Sequence, residues 1–396
     1  MTSWQAYDRF KNLLNGSQKE TLSVEIINAF MLVRAAEKFK GTEEVVLLHD
    51  PSYIRKENTK ESEYIGKVRS LDDRIINGYE TFNTVAVDSK GSNLTLVSCK
   101  PYSNGDKNYI KAEILLEEKR ELKEKEYNLN SLTKEALQTT SKQFKEKGTQ
   151  KVTHVLDRGF DDFKIFEYIQ EELNDKFIIR LKSNRNSNEK DEETKKYKKL
   201  KNKTYKNSFK KYYDNLTFKG KYYQDAVGNF EYEEIIIEGN KYFIVKVSFY
   251  TRNKTAIFKD PMLLITNYNV ITDDIAEEIY KKYLMRSKIE SVFKFLKDVL
   301  GWEEFRVRDF DSIKNLIALC FFIGEYFYEV KSELTHDSTI KTICLLGNGK
   351  GKNTRFYFMK GLAKLIEYER VKLFVEENNI SKEDFELMLS YVKTQL

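Results

Sequence analysis

Two short apolar runs, each closed by an aspartate, constrain this chain most. Val45-Val46-Leu47-Leu48-His49 ends at Asp50-Pro51, and Val152 to Leu156 ends at Asp157-Arg158-Gly159. A short aliphatic run without polar alternation reads as a strand buried on both faces, so other elements must cover it above and below. The neighbouring sequence provides them. Leu22 to Lys40 reads as an amphipathic helix stopped by Gly41. Phe82 to Val87 and Leu94 to Cys99 read as strands joined by the turn residues Asp88-Ser89-Lys90-Gly91. Ser131 is the expected cap of a helix running to about Lys147 and stopping at Gly148. Asp162 to Leu173 is helical, and Phe177 to Leu181 is a further strand. This order predicts an α/β fold, a mixed central sheet with flanking helices on both faces.

The composition shifts after Leu181. Lys182 to Lys211 is dominated by Lys, Asn, Glu and Ser, and predicts a loop or poorly ordered arm. Phe230 to Glu238 and Lys241 to Tyr250 then flank Gly239-Asn240 as a tight hairpin, and Met262 to Ile265 is another strand. Thr272, with Asp273 and Asp274 behind it, opens one long helix to Leu300 that ends at Gly301. From 312 onward the text is helical, broken by Gly347 to Gly351. The expected organisation is a short helical segment (1–42), a first part of the core (43–182), and a β-rich insertion subdomain with a Lys-rich arm (183–270). A helix closing the core (271–310) and a helical C-terminal region (311–396) follow.

Composition excludes several classes of function. An aromatic share of 13% gives the chain enough to bury, so disorder is not its main state. Leu316 to Gly324, the longest apolar run, is about half of what a bilayer crossing requires. Met1-Thr2-Ser3-Trp4 does not open a signal peptide, which predicts a cytoplasmic protein. Cys99, Cys320 and Cys344 form no CxxC pair, and the only histidines are His49, His154 and His336. Any metal would therefore be held by carboxylates, which points to Mg²⁺ or Mn²⁺. The formal charge of +6 is compatible with a nucleic-acid partner.

The stretch from Tyr283 to Lys297 carries the chemistry. At about 100° per residue, Tyr283, Arg286, Glu290, Lys294 and Lys297 fall in one sector roughly 80° wide, opposite Met285, Ile289, Val292, Phe295 and Leu296. Periodicity alone permits an ordinary helix with a solvated charged stripe. Lys288 lies outside the sector and is expected to point to the flank or to solvent.

The spacing Tyr283-(2)-Arg286-(3)-Glu290-(6)-Lys297 resembles the signature of the DDE transposases of the insertion-sequence-four family. Val155-Leu156-Asp157-Arg158-Gly159-Phe160, with Phe177 to Lys182, is similar to the second-aspartate block of that family. Leu47-Leu48-His49-Asp50 and Asn77-Gly78-Tyr79 resemble the first. The resemblance covers about residues 43–335. It implies a ribonuclease-H-like core in which Asp50, Asp157 and Glu290 hold two Mg²⁺ ions, with Mn²⁺ as a substitute. It also implies cleavage and strand transfer of double-stranded DNA, a hairpin intermediate, and a homodimer on paired ends in the nucleoid. Tyr283, Arg286 and Lys297 would grip the end DNA, with Lys294 and Arg158 as further contacts.

The lysines at 195, 196, 198, 199, 201, 203, 206, 210 and 211, interleaved with Tyr197, Tyr205, Tyr212 and Tyr213, suit a DNA backbone. Three departures stand out: Pro51-Ser52 after the first aspartate, Ser287 where the family often has Trp, and only about 42 residues before the first block. They leave open a ribonuclease-H-like nuclease without strand transfer, or an adopted copy that only binds DNA.

Overall fold

The computed structural model describes residues 22–190, 197–218, 221–334, 337–349 and 355–393. These form two compact units, one running to Glu325 and one from Tyr326 onward. In the first, Ser23 caps helix α1 (Val24–Lys38) by accepting from the Ile26 amide. Strands β1 (Glu44–Arg55), β2 (Gly66–Arg69), β3 (Ile75–Asp88) and β4 (Leu94–Tyr102) follow, then the short helix α2 (Ala112–Glu118). Helix α3 (Leu129–Glu146) starts three residues earlier than a Ser131 cap would place it. Asn128 is the cap, and Ser131 is the reciprocal partner that bonds back to the Asn128 amide.

Strand β5 (Lys151–Leu156) leads through a 3₁₀ turn at Arg158–Phe160 to helix α4 (Phe163–Glu167), which continues as a π turn at Tyr168–Glu172. Strands β6 (Lys176–Arg180), β7 (Asn186–Lys190), β8 (Tyr197–Lys199), β9 (Asn207–Phe218), β10 (Lys221–Ile237), β11 (Asn240–Tyr250) and β12 (Met262–Thr266) complete the β structure.

One ten-stranded sheet runs in the order β2-β3-β1-β5-β6-β12-β11-β10-β9, with β4 beside β3, and β7 and β8 pair apart from it. Only β1/β5 and β5/β6 are parallel, so the sheet is mostly antiparallel. The strands expected as an inserted subdomain therefore extend the central sheet. The described residues of the lysine-rich stretch are also more ordered than its composition suggests. Buried Leu200 and Tyr205 anchor it, and Lys201 pairs with Asp260 and Lys203 with Glu233. Lys195 and Lys196 lie outside the described residues. The β10–β11 turn uses Glu238 and Gly239, both at positive φ, so Asn240 is the first strand residue and pairs with Ile237.

Helices cover both faces. On one, Leu32, Ala35 and Phe39 of α1 and Phe144 of α3 pack on Val45, Leu47, Ala86 and Val152. On the same face, Ile165, Phe166 and Ile169 pack on Phe177, Ile179, Tyr242 and Ile265. The opposite face carries α5 (Asp273–Leu284), capped by Thr272, and α6 (Ser287–Leu300). Tyr280 of α5 lies edge-on to Phe230 and tilted on Phe249.

The expected single helix is thus two. The amides of Met285 and Arg286 bond only three residues back, and the Ser287 hydroxyl donates to the Leu284 carbonyl, which breaks the regular ladder. Helix α7 (Phe310–Glu333) follows. In the second unit, α8 (Asp337–Leu346) and α9 (Arg355–Glu377) cross at Gly347 and Gly361, where an added Cβ would lie 2.1 Å from the Tyr357 carbonyl and 1.8 Å from that of Ile343. Helix α10 is Lys382–Lys393. Among the described residues, no helix is long and apolar enough to cross a membrane.

Candidate active site

The two aspartates meet because their strands run parallel. The β1/β5 ladder pairs Glu44 with Lys151 and ends with Leu48 opposite Val155, so two further steps set Asp50 beside Asp157. Side chains alternate across a strand, which places both carboxylates on the α5–α6 face. Asp50 does not close its strand. The strand β1 runs on to Arg55 because β3 pairs with it from Val45↔Asp88 to Arg55↔Gly78. Pro51 is tolerated where β5 has ended and β1 has a neighbour on one side only.

Two residues that the sequence reading missed complete this row. Asn83 faces Asp50 across β3, fully buried, donating to the Asp50 carbonyl and to Thr81 while its Oδ1 has no partner. Arg180 stands one step beyond the last β5/β6 pair, Leu156↔Ile179, and so beside Asp157.

Arg286 sits at the helix break and bridges the carboxylates. Its Nη1 lies 3.0 Å from Asp50 Oδ2, and its Nη2 lies 2.8 Å from Glu290 Oε1. Burial raises the Asp50 carboxyl to about 7; Arg286 opposes the shift, and Asp157 and Glu290 add to it. Burial likewise works against the Arg286 charge, but Asp50, Tyr283 and Glu290 more than offset it. The Asp157 carboxylate accepts the Gly159 amide at 2.7 Å, which fixes its rotamer.

The remaining residues divide. Tyr283 is buried at the end of α5, hydrogen-bonded to Arg286. Lys297 donates to the Tyr53 carbonyl at 2.6 Å and pairs with Glu303 at 3.1 Å; burial lowers its pKa, and Glu303 opposes that. Lys294 and Arg158 are exposed, and the structure does not bring them to the carboxylates. Lys288 is half-buried beside Gly91 of the β3–β4 turn, not directed freely to solvent.

On the opposite face, a buried polar chain crosses the two aspartate strands. Thr84 Oγ1 lies 3.0 Å from His49 Nδ1, His49 Nε2 lies 2.9 Å from His154 Nδ1, and His154 Nε2 lies 3.1 Å from Asp175 Oδ2. Lys145 pairs with Asp175 at 2.6 Å. Burial, with His154 adding to it, holds His49 well below the usual imidazole range. Burial raises Asp175, but its bonds to His154, Lys145 and Ser141 win, and its pKa is lowered.

Among the described residues, no three carboxylate, imidazole or thiol groups stand close enough to hold an ion as placed. Glu290, whose side chain is 56% exposed, is drawn instead to Arg286. The profile of the transposase DDE domain matches residues 83–323, more than half of the chain. This chain belongs to that transposase family. The match begins at Asn83 and takes in Asp157 and Glu290, while Asp50 precedes it. No curated protein matches the chain. Family membership implies a transposase-type nucleic-acid-cleaving enzyme, in a family that generally uses divalent metal ions.

Proposed function

We propose that this DDE-family chain is a cut-and-paste transposase of the insertion-sequence-four type, which cleaves DNA at transposon ends and transfers the freed strands into target DNA. The observation that carries this reading is the placement of Asp50 and Asp157 side by side on parallel strands, under a helix whose Glu290 is linked to Asp50 through Arg286. The strand order β4-β3-β1-β5-β6, parallel only over its last two steps, supports a ribonuclease-H-like core around them. The working assembly in this reading is a homodimer on paired ends, and cleavage passes through a hairpin at the transposon end.

The donor set fits Mg²⁺ in kind. Asp50, Asp157 and Glu290 offer hard oxygens. The fully buried Asn83, which faces Asp50 across the β1/β3 ladder, adds an unpartnered Oδ1 as one more acceptor. Bound there, two ions would supply an activated water and a stabilised leaving oxygen.

The protein groups have their own parts. Arg286 neutralises Asp50 and Glu290 in the chain as it stands, and its planar fork suits a phosphate of the end DNA once those carboxylates are otherwise engaged. Tyr283 holds Arg286 in place from beneath, and Lys297 fixes α6 on β1 beside the same strand. Exposed Lys294 and Arg158 reach the flanking backbone.

Asp157→Asn tests the reading. The variant should lose divalent-dependent nicking of end-containing DNA while its thermal unfolding stays unchanged, and undiminished nicking would remove Asp157 from the site. Supplying a 3′-OH end and a target plasmid to the wild type separates transposition from plain nuclease activity, because a nuclease makes nicks and no joined product.

A further inference from the structure

A second basic feature lies on the other side of the helix break from Arg286. The β3–β4 turn, the last turn of α5 and the first turn of α6 enclose an open concavity of about 500 Å³. Four lysines line it, Lys90, Lys281, Lys282 and Lys288, with Glu278 as the one carboxylate. Glu278 is engaged by Lys282, which Glu44 also holds. Glu277, outside the lining, is shared by Lys281 and Lys211. The local balance is therefore positive, and among the described residues neither Lys90 nor Lys288 forms an ion pair.

The turn is built to bring those two lysines together. Gly91 has φ +72°, and an added Cβ would lie 3.0 Å from Lys288 Cε and 3.4 Å from Met285 Sδ. A side chain at 91 would thus be strained and would push Lys288 aside. Asp88 fixes the loop by accepting the amides of Lys90, Ser92 and Asn93.

We infer that this lysine concavity binds the phosphodiester backbone of a DNA duplex leading away from the carboxylates, as a contact without sequence preference. Lysine ammoniums act on phosphates as point charges and take no part in reading bases. Met285, in the lining, directly precedes Arg286, so a backbone seated here is continuous with the carboxylate site. The inference rests on the transposase reading and adds a surface that the Tyr-Arg-Glu-Lys pattern does not contain. It also reverses the expectation for Lys288, which becomes a contact where periodicity made it a bystander.

Duplex binding measured against salt concentration tests it, with a short duplex of random sequence and three proteins. These are the wild type, the triple variant Lys90→Gln/Lys281→Gln/Lys288→Gln, and a charge-matched control, Lys221→Gln/Lys254→Gln/Lys259→Gln, whose lysines are exposed and outside the lining. Each lost phosphate contact should flatten the log–log salt slope by about 0.9, so the triple variant should lose about two to three units and the control much less. Equal slopes in all three proteins, or equal losses in the two variants, would overturn the inference while leaving the transposase reading intact. A wild type that neither binds nor nicks duplex would overturn both.

Discussion

Arg286 and Lys288 are two residues apart, and the fold treats their charges in opposite ways. Arg286 is largely buried and paired with Asp50 and Glu290. Lys288 leans on a glycine turn in a concavity with a surplus of lysines. The same division separates Lys297, held by Tyr53 and Glu303, from the exposed Lys294. A cation in a sequence is therefore not yet a cation available to DNA. The acids around it decide whether it stabilises the protein or the complex.

Removing a buried partner gives the sharpest contrast. Arg286→Ala leaves Asp50 buried without its cation and should lower stability by about 3–5 kcal/mol, read from urea unfolding. A loss below about 1 kcal/mol would place Arg286 with the solvated lysines and erase the comparison.

Proton linkage gives the next largest effect. The Asp50 carboxyl ionises near 7 in the folded chain, against an ordinary value near 4, so the folded state holds a proton that the unfolded state has released. Stability should then fall as pH rises from about 4 to 7, by on the order of a few kcal/mol from this group, and the penalty is complete above 7. Half-buried Glu80, which desolvation also raises to about 7, acts in the same direction. Asp50→Asn should flatten the stability–pH slope in that window and leave the remaining Glu80 slope in place. An unchanged slope would assign the whole effect to other acids.

Smaller effects complete the series. Lys297→Met removes a hydrogen bond to a strand carbonyl and an ion pair, and should lower stability by about 1–2 kcal/mol with little change in the salt slope. Lys288→Gln should do the reverse. Its unfolding free energy should stay within about 0.5 kcal/mol of wild type, while the salt slope of duplex binding falls by about 0.9. Exchanging these two outcomes would invert the division drawn above.

Part of the candidate site's layout was legible before the fold. The apolar runs before Asp50 and Asp157 mark buried strands by local pattern alone, although only the second strand ends at its aspartate, and the spacing from Tyr283 to Lys297 is likewise local. What stayed hidden depends on register between distant strands. Pro51 reads as a stop until β3 is seen beside it. Asn83 and Arg180 carry no local signal, since each matters only because of the residue it faces. The helix break at Met285 to Ser287 contains no proline or glycine, and rests on a serine hydroxyl and a guanidinium drawn toward another strand. The Lys-rich stretch reads as loop because much of what holds its described part is distant acids: the Tyr205 and Lys206 amides donate to Glu231 and Glu233 of β10, and Lys201 pairs with Asp260.

The buried histidines impose a direction on the core. An ionised Asp175 can only accept, so His154 Nε2 carries the hydrogen and, in a neutral ring, His154 Nδ1 is left as an acceptor. His49 Nε2 must then donate, His49 Nδ1 must accept, and the Thr84 hydroxyl must supply the last hydrogen. With both rings neutral, the series is a one-way street with one consistent set of tautomers, laid across the strands that carry the two aspartates. Turning over either ring, or sliding one strand past the other, would set donor against donor or lone pair against lone pair where no water can intervene. The relative position of Asp50 and Asp157 is thereby keyed by hydrogen-bond polarity from the face of the sheet opposite the two carboxylates.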